Sequence, residues 1–356
     1  MKQIPGGVTA PKGFRAWGVH CGVKSKKADK KDLALILSDQ ECAAAAVYTM
    51  NRVKAAPLYV TMEHLEDGTA WGVAANSGNA NACCPMSHEY AEEMARRAAR
   101  ATGRAPADFV VASTGVIGQT LNIAAIRAGM PEAAAGLTAG PEGSDAAARA
   151  IMTTDTVKKE LALACSIGGR TVTLGAIAKG SGMIHPNMGT MLCFVTTDCA
   201  ITREMLAEAL HEVVPRTFNR VTVDGDTSTN DMCAVLANGM AGNPLIEWKD
   251  DGYTVFLKAL RQLCQELARA IAGDGEGASR LITCAVREAR SEESAERLAK
   301  AVVGSPLVKA AMFGADANWG RVLCAMGYSK APFRPEYVDI SFSSAVGAVA
   351  VCRGGM

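Results

Sequence analysis

Short apolar segments with the composition of β-strands alternate with amphipathic helical segments, in an order that follows no regular rhythm. Strands are predicted at 33–37, 109–112, 171–178, 191–196, 281–286 and 338–342. Apolar residues at helical spacing predict helices that begin at Ser87, after Thr202 and at Ser291, and a fourth through Phe256 that ends at Gly273. Because the strict strand-helix-strand repeat of a doubly wound sheet is missing, the sequence predicts an α/β or α+β layered domain.

Glycine-rich turns indicate how the chain is divided. A new strand, helix and strand follow the turn at 273–277, so we predict a main sandwich over residues 1–278 and a smaller lobe over 279–356. The stretch 129–144, dense in Ala, Gly and Pro, is interpreted as a loop or short turns between lobes. One final strand is predicted over 341–352.

Charge and hydropathy exclude several classes of partner. With 37 Lys and Arg against 36 Asp and Glu, the net charge of +1 gives no field that would attract nucleic acid or an anionic membrane. The longest apolar runs, at 43–47 and 345–352, are far shorter than the roughly 18 residues of a membrane span. The first residues lack the apolar core of a signal peptide, so a cytoplasmic protein is expected.

The motifs give no support to a metal site. The twelve cysteines include no C-x-x-C pair and mostly lie in apolar stretches, so we interpret them as buried, reduced thiols. The five histidines show no zinc-ligand spacing. The run that starts at Asp224 resembles a calcium loop only at its beginning, because Thr229 stands where glycine is required and Val235 where a glutamate chelates.

Small polar residues are concentrated in loops beside the apolar strands. These loops lie at 76–81, 113–118, 152–156, 179–183, 224–231 and 273–277. Loops on a rigid scaffold are where sites are usually built, although ordinary turn chemistry would explain any one of them alone.

Gly189 and Thr190 meet directly at the head of an apolar strand, an arrangement that suits an N-terminal nucleophile. A threonine hydroxyl is a weak nucleophile, but cleavage of the preceding peptide bond would free an α-amine that can act as its base. That amine has a reference pKa of roughly 7.7 to 8.0, close to working pH. Glycine tolerates the strained backbone of an N-to-O acyl shift. The alternative is a strand that merely begins with threonine.

Seven segments in order resemble the ornithine acetyltransferases, described as bifunctional glutamate N-acetyltransferase/amino-acid acetyltransferases of arginine biosynthesis. They are NSGNANA at 76–82, STGVIG at 113–118, AIMTTDT at 150–156, KGSGMIHPNM at 179–188, TVDGDTSTND at 222–231, DGEGASR at 274–280 and FGADANWGR at 313–321. The resemblance covers nearly the whole chain. It implies an α+β layered sandwich of mixed sheets and helices, a self-cleaving fold like that of N-terminal nucleophile enzymes, with a smaller C-terminal lobe.

The resemblance also implies self-cleavage between Gly189 and Thr190, which leaves an α chain (1–189) and a β chain (190–356) that stay associated. Thr190 would then be the nucleophile. By similarity, Thr114 and Gly115 supply the oxyanion hole, where each donor contributes roughly 3 to 4 kcal/mol in comparable sites.

Three further residues are assigned to substrate by the same resemblance. Lys179 and Glu276 contact the substrate, as does one threonine of a pair, for which we choose Thr153 with Thr154 as the close alternative. Lys179 suits either the α-carboxylate that both substrates carry or assistance to the self-cleavage, and Glu276 suits the side-chain ammonium of ornithine.

The implied reaction moves an acetyl group from N2-acetylornithine to glutamate through an acetyl-threonine ester, in a ping-pong pattern. No cofactor is expected, and acetyl-CoA is a second donor in some members of the family. The implied assembly is a homo-oligomer of αβ units. Two alternatives stay open: an N-terminal-nucleophile amidase or aminopeptidase with water as acceptor, and an inactive truncated remnant.

Two departures from the family pattern stand out. Gly189 takes the place of the alanine that usually precedes the nucleophile, which should preserve cleavage and alter its rate. The chain also stops at Met356, several tens of residues before family members do. We therefore expect a truncated C-terminal lobe that lacks an Asn and a Ser or Thr of the family's substrate pocket.

Overall fold

One mixed sheet forms the centre of the protein in this computed structural model, which describes residues 1–23, 30–185 and 191–356. Within those residues its strands are β1 (Lys2–Ile4), β2 (Phe14–Val19), β3 (Leu33–Tyr48), β4 (Thr69–Asn79), β5 (Phe109–Val116), β6 (Lys159–Ile167), β7 (Arg170–Lys179), β8 (Leu192–Thr197) and β9 (Met232–Ala237). They are hydrogen-bonded in the order β1-β6-β7-β8-β9-β3-β4-β5, and β2 also pairs with β3.

The long strand β3 turns this sheet into two packed layers. Its first part pairs with β2 and β4, and its last six residues pair with β9. The register with β4 shifts between Leu37 and Cys42, at a bulge that lets the strand change direction. Alternate side chains then meet between the layers, among them Ile36, Ile177 and Phe194, in one fully buried cluster.

Helices cover both outer faces, and one lies against the inner cluster. The described helices of this part are α1 (Ala56–His64), α2 (Ser87–Thr102), α3 (Ile123–Ala135), α4 (Pro141–Ile151), α5 (Arg203–Val213) and α6 (Asp251–Gly273). Helices α2 and α3 pack on the β3–β5 face, α5 and α6 pack on the β6–β9 face, and α4 packs against β2 and β3. The predicted α+β layered class is therefore confirmed.

Local sequence explains where two of these helices begin. The Thr202 side chain accepts a hydrogen bond from the Met205 amide at 3.4 Å, and the Asp250 side chain accepts one from the Tyr253 amide at 2.7 Å. Helix α6 then buries an apolar stripe at helical spacing that includes Phe256. Both helices match their sequence prediction.

A second, small apolar core lies among the last residues. It is built by α7 (Glu292–Gly304), α8 (Pro306–Phe313), α9 (Trp319–Gly327) and the hairpin of β10 (Ile340–Ser344) and β11 (Gly347–Cys352). The Arg220 guanidinium pairs with Glu292 at 2.7 Å, and Lys300 donates to the Asn219 carbonyl at 2.9 Å. These contacts join this part to the segment just before the 222–231 loop. The division at residue 278 stays a prediction.

Four local predictions are wrong. Residues 129–144 belong largely to α3 and α4, because alanine favours helix and Pro141 occupies the first turn, where a missing N–H costs nothing. Residues 281–286 alternate in burial but form no ladder with any described strand. The stretch 341–352 lies in two strands joined by a turn. Ser87 is the first helical residue of α2, and its hydroxyl donates to the Cys84 carbonyl at 2.5 Å.

Candidate active site

The paired ends of β4 and β5 hold Thr114 and Gly115 in a fixed backbone. These parallel strands align Ser77 with Thr114 and Gly78 with Gly115. Gly115 has φ +134°, and a Cβ there would lie 2.3 Å from the carbonyl carbon of Gly78. Only glycine fits this close approach of two backbones. Thr114 is buried, and the structure therefore keeps the two predicted oxyanion-hole residues together at one end of the sheet.

Asn230 ties this strand end to the 222–231 loop. Its side-chain amide donates to the Ala80 carbonyl at 2.7 Å and to the Ser113 carbonyl at 2.8 Å. The Ser113 hydroxyl in turn donates to the Asn76 side chain at 2.6 Å. Three of the polar loops noted in the sequence thus meet through buried hydrogen bonds.

A buried ion network joins the other three polar loops. Lys159, with 1% of its side chain exposed, lies 2.7 Å from Asp155 Oδ1 and 2.6 Å from Asp274 Oδ2. Asp155 also accepts hydrogen bonds from the Thr153 amide at 3.0 Å and the Gly180 amide at 2.7 Å. The 152–156, 179–183 and 273–277 loops are therefore held against one another by Lys159 and by the hydrogen bonds that Asp155 and Asp274 accept.

Electrostatics keeps both acids of this network charged. Burial on its own would raise the pKa of Asp155, but the charges of Lys179 and Lys159 and its hydrogen bonds outweigh that effect and lower the pKa. Burial likewise opposes ionisation of Asp274, and bonds from Lys159 and Thr156 lower its pKa. Lys179 is buried at the end of β7, close enough to Asp155 for its charge to act there.

Glu276 and Thr153 lie on the rim of this arrangement. A methyl group on Gly182 would lie 2.3 Å from Glu276 Oε1, so the exposed Glu276 side chain crosses directly over the 179–183 loop. Thr153 is half-buried and Thr154 is exposed. The structure thus brings Lys179, Glu276 and Thr153 to the same group of loops.

The residues on either side of the predicted cleavage point are held by the loop that ends at β9. Thr227 donates to the His185 carbonyl at 2.8 Å, and the Met232 amide donates to the Met191 carbonyl at 2.9 Å. Gly189 and Thr190 themselves lie outside the described residues. The described neighbours show that both flanks of the predicted junction are fixed to 222–232.

A small cavity of about 20 Å³ lies where these elements converge. It is lined by Thr114, Lys179, Gly182, Met183, Ile184, Met191, Leu192, Ser228, Asn230 and Asp231. A much larger groove, about 1310 Å³, lies in the C-terminal part among residues 280–349 and includes none of the predicted site residues. We place the candidate site at the small cavity, because the predicted site residues Thr114 and Lys179 both line it.

Asp231 is a buried acid in this cavity to which the sequence interpretation gave no role. Only 2% of the residue is exposed. Burial raises its pKa well above the usual value, against the opposing effects of Ser228, the Lys179 charge, the Met191 amide and Thr49. The sequence feature that could have pointed to Asp231 is its position, directly between the 224–231 polar loop and the apolar strand β9.

Asp224, another acid of the same loop, has a structural task. Asp224 accepts hydrogen bonds from the backbone amides of Met183, at 2.6 Å, and Ile184, at 2.9 Å. It therefore shapes the 179–183 loop from outside.

The cysteines of the described residues are free thiols, and most are buried, although Cys83 and Cys324 are exposed. In the described part of the chain, no helix is long and apolar enough to cross a membrane.

Known proteins resemble this chain over almost all of its length. The ArgJ family model matches residues 15–356. The arginine biosynthesis bifunctional protein ArgJ of Symbiobacterium thermophilum is 55% identical over 341 residues, which cover 96% of this chain and 84% of that protein. The protein of the same name from Caldanaerobacter subterraneus is 47% identical over 356 residues, covering 100% of this chain and 87% of that protein.

Among solved structures, the crystal structure of the arginine biosynthesis bifunctional protein ArgJ of Bacillus halodurans is similar to this chain. The identity is 42% and the TM-score 0.50, over 52% of this chain and 97% of that chain. The family match and the identities of 55% and 47% agree with the resemblance carried by the seven motifs. On this evidence the chain belongs to the ArgJ family.

Proposed function

We propose that this protein is a glutamate N-acetyltransferase of arginine biosynthesis that moves the acetyl group of N2-acetylornithine to glutamate. The observation that carries the proposal is one cavity lined by Thr114, Lys179 and Met191, the residue that follows Thr190 in the chain. The same cavity would therefore hold an oxyanion donor, Thr114, and a cation for a carboxylate, Lys179. It also lies at the start of the strand that follows the proposed nucleophile.

Self-cleavage between Gly189 and Thr190 is the first step. It frees the α-amine of Thr190, which takes the proton of its own hydroxyl as the oxygen attacks the acetyl carbonyl. The hydroxyl of Thr114 and the amide of Gly115 stabilise the negative oxygen of the tetrahedral intermediate. Ornithine leaves as the amine, and an acetyl ester remains on Thr190.

Glutamate then takes the acetyl group and regenerates the hydroxyl. Lys179 binds the α-carboxylate of either amino acid, because a buried cation is worth most where water is excluded. Glu276 binds the side-chain ammonium of ornithine from its exposed position over the loop at Gly182. Thr153, half-buried beside the same loop, contacts the bound amino acid.

We further propose that acetyl-CoA serves as a second acetyl donor, that the enzyme needs no resident cofactor or metal, and that αβ units assemble into a homo-oligomer in the cytoplasm. The bifunctional name of the relatives supports the second donor. The near-neutral net charge of +1 supports small-molecule substrates over polyanions.

Acceptor competition tests the proposed reaction. Purified protein with N2-acetylornithine and labelled glutamate should give labelled acetylglutamate, and mass spectrometry should find a fragment that begins at Thr190. Thr190→Ser, which keeps a hydroxyl, should retain part of both activities, whereas Thr190→Ala should lose both. Release of free acetate at a rate that glutamate does not alter would instead identify a hydrolase that uses water.

A further inference from the structure

Self-cleavage needs a proton acceptor before the α-amine of Thr190 exists. In the intact chain that nitrogen is an amide, which cannot serve as a base. The cleavage step must therefore use a different group from the one used in acetyl transfer. The titratable side chains that line the described cavity are Lys179 and Asp231.

Asp231 and its neighbour Met232 are held against Thr49 and Met191. Its carbonyl accepts a hydrogen bond from the Thr49 amide at 3.0 Å, and the next residue, Met232, donates to the Met191 carbonyl at 2.9 Å. The Met191 amide also donates a hydrogen bond to the Asp231 carboxyl. Met191 is the residue that follows Thr190 in the chain.

One oxygen of this carboxyl is available. In the part of the chain that the structure describes, Asp231 Oδ2 is buried and has no hydrogen-bond partner. A buried polar atom without a partner costs free energy, and such an atom calls for an explanation other than stability. The charge of Lys179 favours the carboxylate form that can accept a proton, against the larger effect of burial, which favours the protonated form.

We propose that Asp231 transfers the proton in the self-cleavage step, an inference that rests on the proposed function. The Asp231 carboxylate takes the proton of the Thr190 hydroxyl while that oxygen bonds to the carbonyl carbon of Gly189. As the carbon–nitrogen bond breaks, Asp231 returns the proton to the departing nitrogen, which becomes the free amine. A water molecule then hydrolyses the ester, giving the Gly189 carboxylate and restoring the Thr190 hydroxyl.

Burial suits Asp231 to this role. A proton-transfer group must hold a proton and release it again, and burial raises the pKa of this carboxyl well above its usual value. Neither Ser228 nor Asn230, its neighbours in the cavity, can accept a proton at neutral pH.

Asp231→Asn tests the proposal in the full-length chain. Asparagine has the shape of the neutral acid but transfers no proton, so we expect cleavage to slow by about 100-fold or more. Pulse-labelled protein from cell-free translation would be followed on denaturing gels, with thermal unfolding as the check on folding. The matched control is Asp226→Asn, the same change at an exposed position of the same loop. Wild-type cleavage in Asp231→Asn overturns the proposal.

Chemical rescue separates proton transfer from packing. In Asp231→Ala, added formate should restore cleavage, whereas formamide, of similar size, should not. An equal response to both compounds, or to neither, assigns Asp231 a structural role and overturns the proposal. The proposed function fails in a different way, since then the wild-type chain itself would yield no fragment that begins at Thr190.

Discussion

The ammonium group of Lys159 lies 2.6 Å from the carboxylate of Asp274, a residue 115 positions away in the chain. The same ammonium lies 2.7 Å from Asp155. Since these acids also bind the backbone of the 152–156 and 179–183 loops, one buried cation fixes the position of Lys179 and the rim residues.

Replacing Lys159 by methionine should therefore be strongly destabilising. The change keeps most of the side-chain volume but removes the cation that contacts both buried carboxylates, which costs about 3 to 5 kcal/mol. Urea unfolding measures the loss. Lys158→Met is the control, because Lys158 pairs with Asp145 near the surface and should cost about 1 kcal/mol or less. Equal effects in the two variants would refute the role given to Lys159.

The sequence predicted those parts of the fold whose signals are local. The stripe through Phe256 and the cap at Thr202 are read within one or two helical turns, and both helices are as expected. Strand β3 was predicted only over 33–37, because exposed residues at its bulge interrupt the apolar pattern and the alanines after it favour no single structure. In the stretch 129–144 glycine and proline favour turns, but the alanines favour helix and most of the stretch is helical.

The restriction to local signals also explains which parts of the candidate site could be predicted. Motifs identified Thr114, Gly115, Lys179 and Glu276, since each lies in a loop whose residues are recognisable in order. The lysine network and the place of Asp231 depend on contacts between distant segments, which neither periodicity nor spacing encodes.

Gly115→Ala should destabilise the protein and prevent cleavage. Its φ of +134° disfavours any side chain, and the added methyl would meet the Gly78 backbone at 2.3 Å, so we expect a loss of about 3 kcal/mol or more. Gly118→Ala provides the comparison, because φ is +78° there but the methyl would meet nothing within 4 Å. That change should cost about 1 to 2 kcal/mol and leave cleavage intact. Thermal unfolding and denaturing gels measure both effects, and similar behaviour of the two variants would contradict the close approach.

Glu93 should make stability depend on pH in the acid range. Burial opposes its ionisation, but hydrogen bonds from Arg97, Arg96 and Arg127 outweigh this and lower its pKa to about 2 from the ordinary 4.5. Because the folded-state pKa is lower than the unfolded one, the stabilisation is complete above about pH 4.5 and is lost as the pH falls toward 2.

Glu93→Gln should therefore reduce the free energy of unfolding by about 1 to 3 kcal/mol at pH 7, and the difference from wild type should shrink between pH 4.5 and 2. Urea unfolding across this range checks the prediction. Glu92→Gln, at a half-buried position of the same helix, should change stability by about 0.5 kcal/mol or less. A difference for Glu93→Gln that stays constant with pH would show that packing, not charge, is responsible.

Thr114→Ala should leave the fold intact and slow the chemistry. Thr114 is buried at the end of β5 and lines the cavity together with Lys179 and Met191, and the removed atoms are few. Loss of one oxyanion donor lowers kcat by roughly 100- to 1,000-fold in comparable enzymes, and self-cleavage passes through the same kind of tetrahedral intermediate. We therefore expect both cleavage and acetyl transfer to slow by that factor, measured by fragment formation and by acetylglutamate production. Thr114→Ser keeps the donor and should retain most of both rates, so equal losses in the serine and alanine variants would assign the threonine to packing rather than to the oxyanion.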